Sequence, residues 1–332
     1  MTPERLMQLA WGYAPPLIIE AAVRNGVFEA LDGGARTVAE LAAATGASER
    51  GLAAIADALV GLDLLEKEED SRYRLAPEGA AFLVKGRPGY LGDFYRHIST
   101  QLIPNWLHIA EAMRTGAPPV AVNEETSGSP FFQEFVESLF AVMYPGARLL
   151  GQHLGLAGAA GPVRVLDLAA GSGVWGIALA EQSPQVTVTA VDWPRVIETT
   201  RRVVGRYGLT ARYDFVAGDL LEVGFGADHR IATLGHILHT EGEARSRTLL
   251  RKTFDALAPA GTIAIGEFLV NRDRTGPLRG LLFAVNMLVH STAGNAYSFE
   301  EIGAWLADAG FANIRTLDIP GPAPLILATR PA

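Results

Sequence analysis

Cysteine is absent from the 332 residues, which excludes disulfides, thiolate metal sites and cysteine nucleophiles. A basic excess is missing as well. The 28 lysines and arginines stand against 36 acids, a formal charge of −8, so a general electrostatic hold on nucleic-acid phosphates or an anionic membrane is not expected. No apolar run approaches the ~20 residues that span a bilayer. The opening MTPERLMQLA has no basic segment leading into a continuous apolar stretch and a cleavage site. Together these absences predict a soluble, cytoplasmic protein. What the chain does have is apolar mass: 49% of residues are hydrophobic and 19% charged, enough for one large domain or two ordinary ones.

Residues 1–100 read as short helices followed by a small hairpin. Thr37 and Ser48 stand where N-caps belong, and Leu52, Ile55, Leu59 and Leu62 form a stripe. After Leu64 and Leu65 come a charged turn over 66–71 and the strand-like Tyr73, Arg74 and Leu75. Three helices and a hairpin make a winged helix, a shape often used to bind DNA. Yet residues 1–90 carry 9 lysines and arginines against 13 acids, and the helix that would enter a groove offers only Arg50. A dimer-forming scaffold is the better reading. Residues 101–155 read as a helical linker rich in large apolar groups, with Tyr144 as a candidate for lining a substrate pocket, and a Gly/Pro/Ser/Thr-rich stretch over 115–130 reads as the separator of two helices.

In residues 156–332 strands alternate with helices. Strand-like runs fall at 163–168, 186–191, 213–216, 231–234, 262–268, 314–319 and 325–329, with helical spacing at 195–207, 243–257 and 299–309. The pattern predicts an α/β fold with a doubly wound parallel sheet. Pro320, Gly321 and Pro322 join the last two strands as a return hairpin, giving one antiparallel edge strand.

The strongest local signal is VLDLAAGSGVWG over 165–176, a strand entering a glycine turn that opens a helix. Gly171, Gly173 and Gly176 spell GxGxxG, weak by itself, and the missing side chains let backbone approach a nucleotide-like ligand. In dinucleotide enzymes the preceding strand is apolar to its end, whereas Asp167 lies four residues before Gly171. A buried carboxylate needs donors or a cation, and the cationic amino acid of S-adenosylmethionine supplies them directly or through water. Asp192 lies 19 residues beyond Gly173 at the end of the next strand, placed to accept ribose hydroxyls. Asp219, after Gly218 at the third strand's end, is placed to meet adenine.

On these residues the chain resembles the bacterial branch of the small-molecule O-methyltransferases, which are similar to plant caffeate and hydroxyindole methyltransferases. The resemblance covers nearly the whole length. It implies a winged-helix-like dimerisation domain, a helical linker and a class I S-adenosylmethionine domain, assembled as intertwined homodimers whose partner helps close the substrate pocket. Cofactor contacts implied by it fall on Gly171, Gly173, Asp192, Trp193, Asp219 and Leu220. In the segment GHILHTE over 235–241, His239 matches the family's general base, and Glu267 matches the acid that orients it. A neutral imidazole can take the proton of a hydroxyl as the oxygen attacks the sulfonium methyl. His236, three residues earlier, would share a face with His239 in a helical turn and is a candidate for binding the substrate. Asn286 and Met287 match the substrate-lining stretch. No metal is implied.

The chain departs from the family pattern at three positions. The acid expected after the base is Thr240, the lysine four residues before it is Gly235, and the second supporting acid falls on Ala296. The first reading is therefore a homodimeric S-adenosylmethionine-dependent methyltransferase acting on a hydroxyl of a small, largely apolar molecule. Methylation at sulfur or carbon, or non-methylating chemistry on the same fold, is the same-fold alternative. A ligand-sensing DNA-binding regulator and an NAD-dependent oxidoreductase are the alternatives from other classes.

Overall fold

The computed structural model describes residues 2–332 and their side chains, that of Glu134 apart. The chain divides into two compact units, Met1–Pro104 and Asn105–Ala332. Among the described residues no helix is long and apolar enough to cross a membrane.

In the first unit both expected caps are made. Thr37 opens the helix Val38–Thr45 with a reciprocal capping box to Glu40, and the Ser48 hydroxyl accepts from the Gly51 N–H at 3.2 Å to start Glu49–Gly61. That helix buries Leu52, Ala56 and Leu59. Strands β1 (Leu65–Lys67) and β2 (Tyr73–Leu75) pair antiparallel as the wing. The Tyr73 hydroxyl and the Lys67 ammonium both donate to one oxygen of Asp57 at 2.7 Å, fastening the wing to the preceding helix. The first helix, Glu4–Ala10, buries nothing. Leu6, Met7, Leu9, Trp11 and Tyr13 there and just beyond are 58 to 70% exposed.

The second unit begins with helices that include Glu125–Phe135 and Phe140–His153. The first of these starts inside the stretch expected to be a separator and runs through Pro130. Gly128 lets it pack closely on the Val122 carbonyl and the Trp193 ring, from which a Cβ there would lie 2.1 and 2.6 Å. Seven strands follow: β3 (Val163–Leu168), β4 (Val186–Asp192), β5 (Tyr213–Ala217), β6 (His229–Gly235), β7 (Leu257–Gly266), β8 (Ala312–Leu317) and β9 (Leu325–Thr329). Their order is β5-β4-β3-β6-β7-β9-β8. The hairpin β8–β9 is as expected, but the antiparallel strand is β9, inserted between β7 and β8, so it is not at the edge. A turn sequence fixes which strands are adjacent and leaves open which of the two joins the older sheet. Alternate residues along β3 feed two cores, Val165 on one face and Leu166 and Leu168 on the other.

The strand order reverses between β3 and β6, and in such sheets the ligand crevice lies outside the carboxyl ends of the strands there. The helix Val174–Ala180 begins at this reversal and is buried throughout. It seats closely because its third residue is glycine: a Cβ on Gly176 would fall 2.7 Å from the Tyr213 hydroxyl and 2.8 Å from Val188. Gly176→Ala should therefore cost about 1–3 kcal/mol of stability through overpacking. Gly158→Ala, where a Cβ meets nothing within 4 Å, serves as the control. Urea denaturation of both variants measures the difference, and an unchanged midpoint for Gly176→Ala would contradict the packing argument.

Candidate active site

The glycine turn between β3 and the helix Val174–Ala180 uses left-handed backbone at Ala169, Gly171 and Gly173, with φ of 52°, 55° and 77°. Two acids hold it. Asp192, at the end of β4, accepts the Gly171 N–H at 2.8 Å with one oxygen and the Trp193 N–H at 2.7 Å with the other. Burial pushes its carboxyl up to about 6. The Thr200 hydroxyl donates to the Gly171 carbonyl at 2.7 Å, clamping the turn from the helix Pro194–Arg206. Asp167 is fully buried in β3. The donors it requires come from the chain: the Thr233 hydroxyl at 2.7 Å and the Gly176 N–H at 3.0 Å. Burial pushes its carboxyl up to about 7.

Asp219 is likewise engaged by the protein. It caps its own turn through the Leu221 N–H at 2.8 Å and takes Arg245 with both oxygens, at 3.0 and 2.7 Å. Arg245 also donates to buried Glu241 at 2.5 Å. Leu220 points its side chain into the core beside β3 and β6, and its carbonyl accepts from Lys252 at 2.8 Å. Trp193 remains half-buried, its ring 6.2 Å from that of Phe132.

Beyond β6, His236 adopts φ 66° while its N–H donates to the Gly266 carbonyl at 2.9 Å. That bond draws the ends of β6 and β7 together and brings His239 to Glu267. The two side chains meet at 2.7 Å, His239 Nδ1 to Glu267 Oε2, both buried. The His239 N–H reaches the other carboxylate oxygen at 3.3 Å. A carboxylate can only accept, so Nδ1 carries a proton, and in the neutral form of the ring the lone pair is then on Nε2. Burial, the largest influence on Glu267, pushes its carboxyl up, but the charge and hydrogen bonds of His239 outweigh it and hold the group below its ordinary value. The Phe283 ring meets His239 edge-on at 4.7 Å, and Phe268 lies 4.0 Å from Phe283. Burial drops His236 to about 4, so it is neutral, and its Nδ1 has no partner among the described residues.

His236, His239 and Glu267 present ligating atoms within 4.8 Å of one another. The 2.7 Å His239–Glu267 contact holds a proton, and the spacing is shorter than the ~3.3 Å that separates two tetrahedral ligands of a zinc ion at about 2.0–2.1 Å. A cation would have to break that bond, and the cluster suits proton transfer instead. A separate open cleft of about 940 Å³ shares Phe268 and is lined by Val270, Arg279 and Pro322, but by neither histidine.

The departures from the family pattern have physical occupants. A Cβ on Gly235 would lie 2.1 Å from the Trp175 indole nitrogen, so the indole fills the space beside this position. Thr240 is buried, its carbonyl accepting from Ser291 at 2.8 Å, and Ala296 is buried without a polar side chain. Of the expected acceptor-lining residues, Asn286 lies on the helix Leu278–His290 three residues after Phe283, on the same face. Met287 is buried. Tyr144 faces a different neighbour. Its hydroxyl donates to Glu181, which follows the helix Val174–Ala180 and so sits at the end away from the glycine turn. Sequence reasoning did not single out Thr233, Trp175, Phe268 or Arg245, and it placed Phe283 at the head of the substrate-lining stretch without picking it from that stretch. Helical spacing from Asn286 points to Phe283, and spacing from Glu241 points to Arg245; the others leave no local signal.

Comparison with known proteins bears on each unit. The O-methyltransferase dimerisation domain matches residues 7–85, and the O-methyltransferase domain matches residues 148–312. The chain is 34% identical over 326 residues to the 3-hydroxy-5-methyl-1-naphthoate 3-O-methyltransferase of Streptomyces sahachiroi, covering 96% of this chain and 92% of that protein. It is 30% identical to the tetracenomycin polyketide synthesis 8-O-methyl transferase TcmO of Streptomyces glaucescens, covering 99% and 97%. Among solved structures, PigF, known from a Serratia species and solved with S-adenosylhomocysteine, superposes with a TM-score of 0.83 at 25% identity over 99% of both chains. Similarity of this extent, running through both units, means that the chain belongs to the family of S-adenosylmethionine-dependent O-methyltransferases.

Proposed function

We propose that the enzyme methylates an aromatic hydroxyl of a small, largely apolar molecule, with His239 as general base and Glu267 as the group that orients it. The observation that carries this reading is the buried 2.7 Å bond from His239 Nδ1 to Glu267, which leaves Nε2 free to accept a proton. Phe268 and Phe283 beside it suit a flat apolar acceptor. The two Streptomyces relatives are named for O-methylation of a hydroxynaphthoate and of a polyketide, which favours oxygen over sulfur or carbon as the nucleophile.

The glycine turn fits the cofactor. Left-handed backbone at Gly171 and Gly173 leaves room for close approach, and Asp192 is a carboxylate with too few donors to hold its pKa down, as suits an acceptor of ribose hydroxyls. Trp193 flanks the same turn. Asp167 acts one step back, holding the turn and the following helix. Asp219 and Leu220 border the crevice through their backbone, since both side chains are committed elsewhere. When bound, S-adenosylmethionine supplies a methyl group on a sulfonium. The chain excludes water with its aromatic wall, orients His239 through Glu267, and takes the hydroxyl proton on Nε2. Neutral His236 adds a polar edge to the acceptor side. The exposed apolar side chains of Leu6, Leu9 and Trp11, within and beside the first helix, support a homodimer formed through the N-terminal unit.

With the true acceptor, His239→Ala should lower turnover about 10²–10⁴-fold while cofactor affinity is kept, and Glu267→Gln should give a smaller loss of the same kind. Near-normal turnover in His239→Ala would remove the base. Because Asp192 must be ionised to accept hydroxyls and its unliganded carboxyl stands at about 6, affinity for S-adenosylmethionine should fall about tenfold from pH 7.5 to pH 5. Titration calorimetry measures that slope, which Asp192→Asn should abolish. In size-exclusion chromatography the 35.4 kDa chain should elute near twice its mass, and Leu6→Glu with Leu9→Glu should shift it toward monomer.

A further inference from the structure

Trp106 lies 180 residues before Asn286, and its indole nitrogen sits 2.9 Å from the Asn286 side-chain oxygen. An indole N–H can only donate, so the amide atom facing it must be the carbonyl, and the amide orientation is fixed by chemistry. The main-chain carbonyl of Asn286 is engaged too, by His290 Nδ1 at 2.9 Å. What is left is the amide NH₂, for which no partner exists among the described residues. Asn286 is half-buried and shares a helix face with Phe283, whose ring meets His239. A group that can only donate therefore stands on the helix face that borders the base.

We infer that Trp106 is a positioning residue that locks Asn286 as a hydrogen-bond donor, and that the acceptor bears a carbonyl or carboxylate oxygen close to the hydroxyl that is methylated. This rests on the reading of His239 as the base for an aromatic hydroxyl. A freely rotating amide would welcome a donor or an acceptor equally. Held by Trp106, it discriminates, because a substituent that donates, or that lacks polarity, leaves the NH₂ unpaired in a half-buried site.

The test uses the full-length enzyme with S-adenosylmethionine and three probes: 3-hydroxy-2-naphthoic acid, its methyl ester and 2-naphthol. The wild-type enzyme should favour one or both carbonyl-bearing probes over 2-naphthol by about tenfold or more in kcat/KM. Trp106→Phe removes the indole N–H and frees the amide to turn, so this ratio should fall about fivefold, through KM rather than kcat. Asn286→Asp keeps the bond to Trp106 and puts an oxygen where the NH₂ was, so the acid should lose most and the ester less. A wild-type ratio near one, or equal losses on all three probes in both variants, overturns the inference while leaving the base assignment intact. If His239→Ala transfers methyl to these probes as fast as the wild type, the underlying reading fails and takes this inference with it.

Discussion

A single carboxylate in the middle of the sheet sets the arrangement around it. Asp167 ties β3 to β6 through Thr233 and to the helix after the glycine turn through the Gly176 N–H, at the point where the strand order reverses. Burying it is expensive, as its carboxyl value of about 7 records, and the geometry must be tight for two donors to offset the loss of water. With the strand ends and the helix N-terminus fixed together, the turn is left little freedom. Asp192 and Thr200 then grip Gly171 from the neighbouring strand and helix.

The proposed base is supported more sparsely than the turn. One acid, Glu267, orients His239, while the places that hold further polar groups in the family pattern carry Gly235, Thr240 and Ala296 here. The polarity is displaced by a residue or more: Glu241 is buried and paired with Arg245, which also grips Asp219. The loop that follows β5 is thereby linked to the helix that carries His239. The histidine itself depends on a carboxylate and on aromatic neighbours that keep water from competing for the Glu267 bond.

Much of this was legible in the sequence, and the reasons for the rest are physical. Strand positions followed from apolar runs between turn residues, Asp192 was singled out by its place at a strand's carboxyl end, and Glu267 by resemblance to the family pattern. Thr37 and Ser48 announced their helices through local bonds. Long-range partners were invisible. Nothing near Asp167 says that a threonine 66 residues away will satisfy it, and nothing near Asp219 says that Arg245, 26 residues on, will occupy it. Helical spacing identified Tyr144 as part of an apolar face without saying which end of the sheet that face would reach. Trp175 and Gly235 show the same limit, since each explains the other only once they are side by side.

The inserted position of β9 has a consequence for how the chain is made. β8 borders only β9, and β9 alone connects it to β7, so the strand that leaves the ribosome earlier waits for one that leaves later. Until then the edge of β7 that β9 will cover is open to pairing with any other strand. Closure of the sheet thus waits for the last of its strands in chain order. Damage to this hairpin would act on the yield of folded protein, even though the hairpin carries neither His239 nor Glu267.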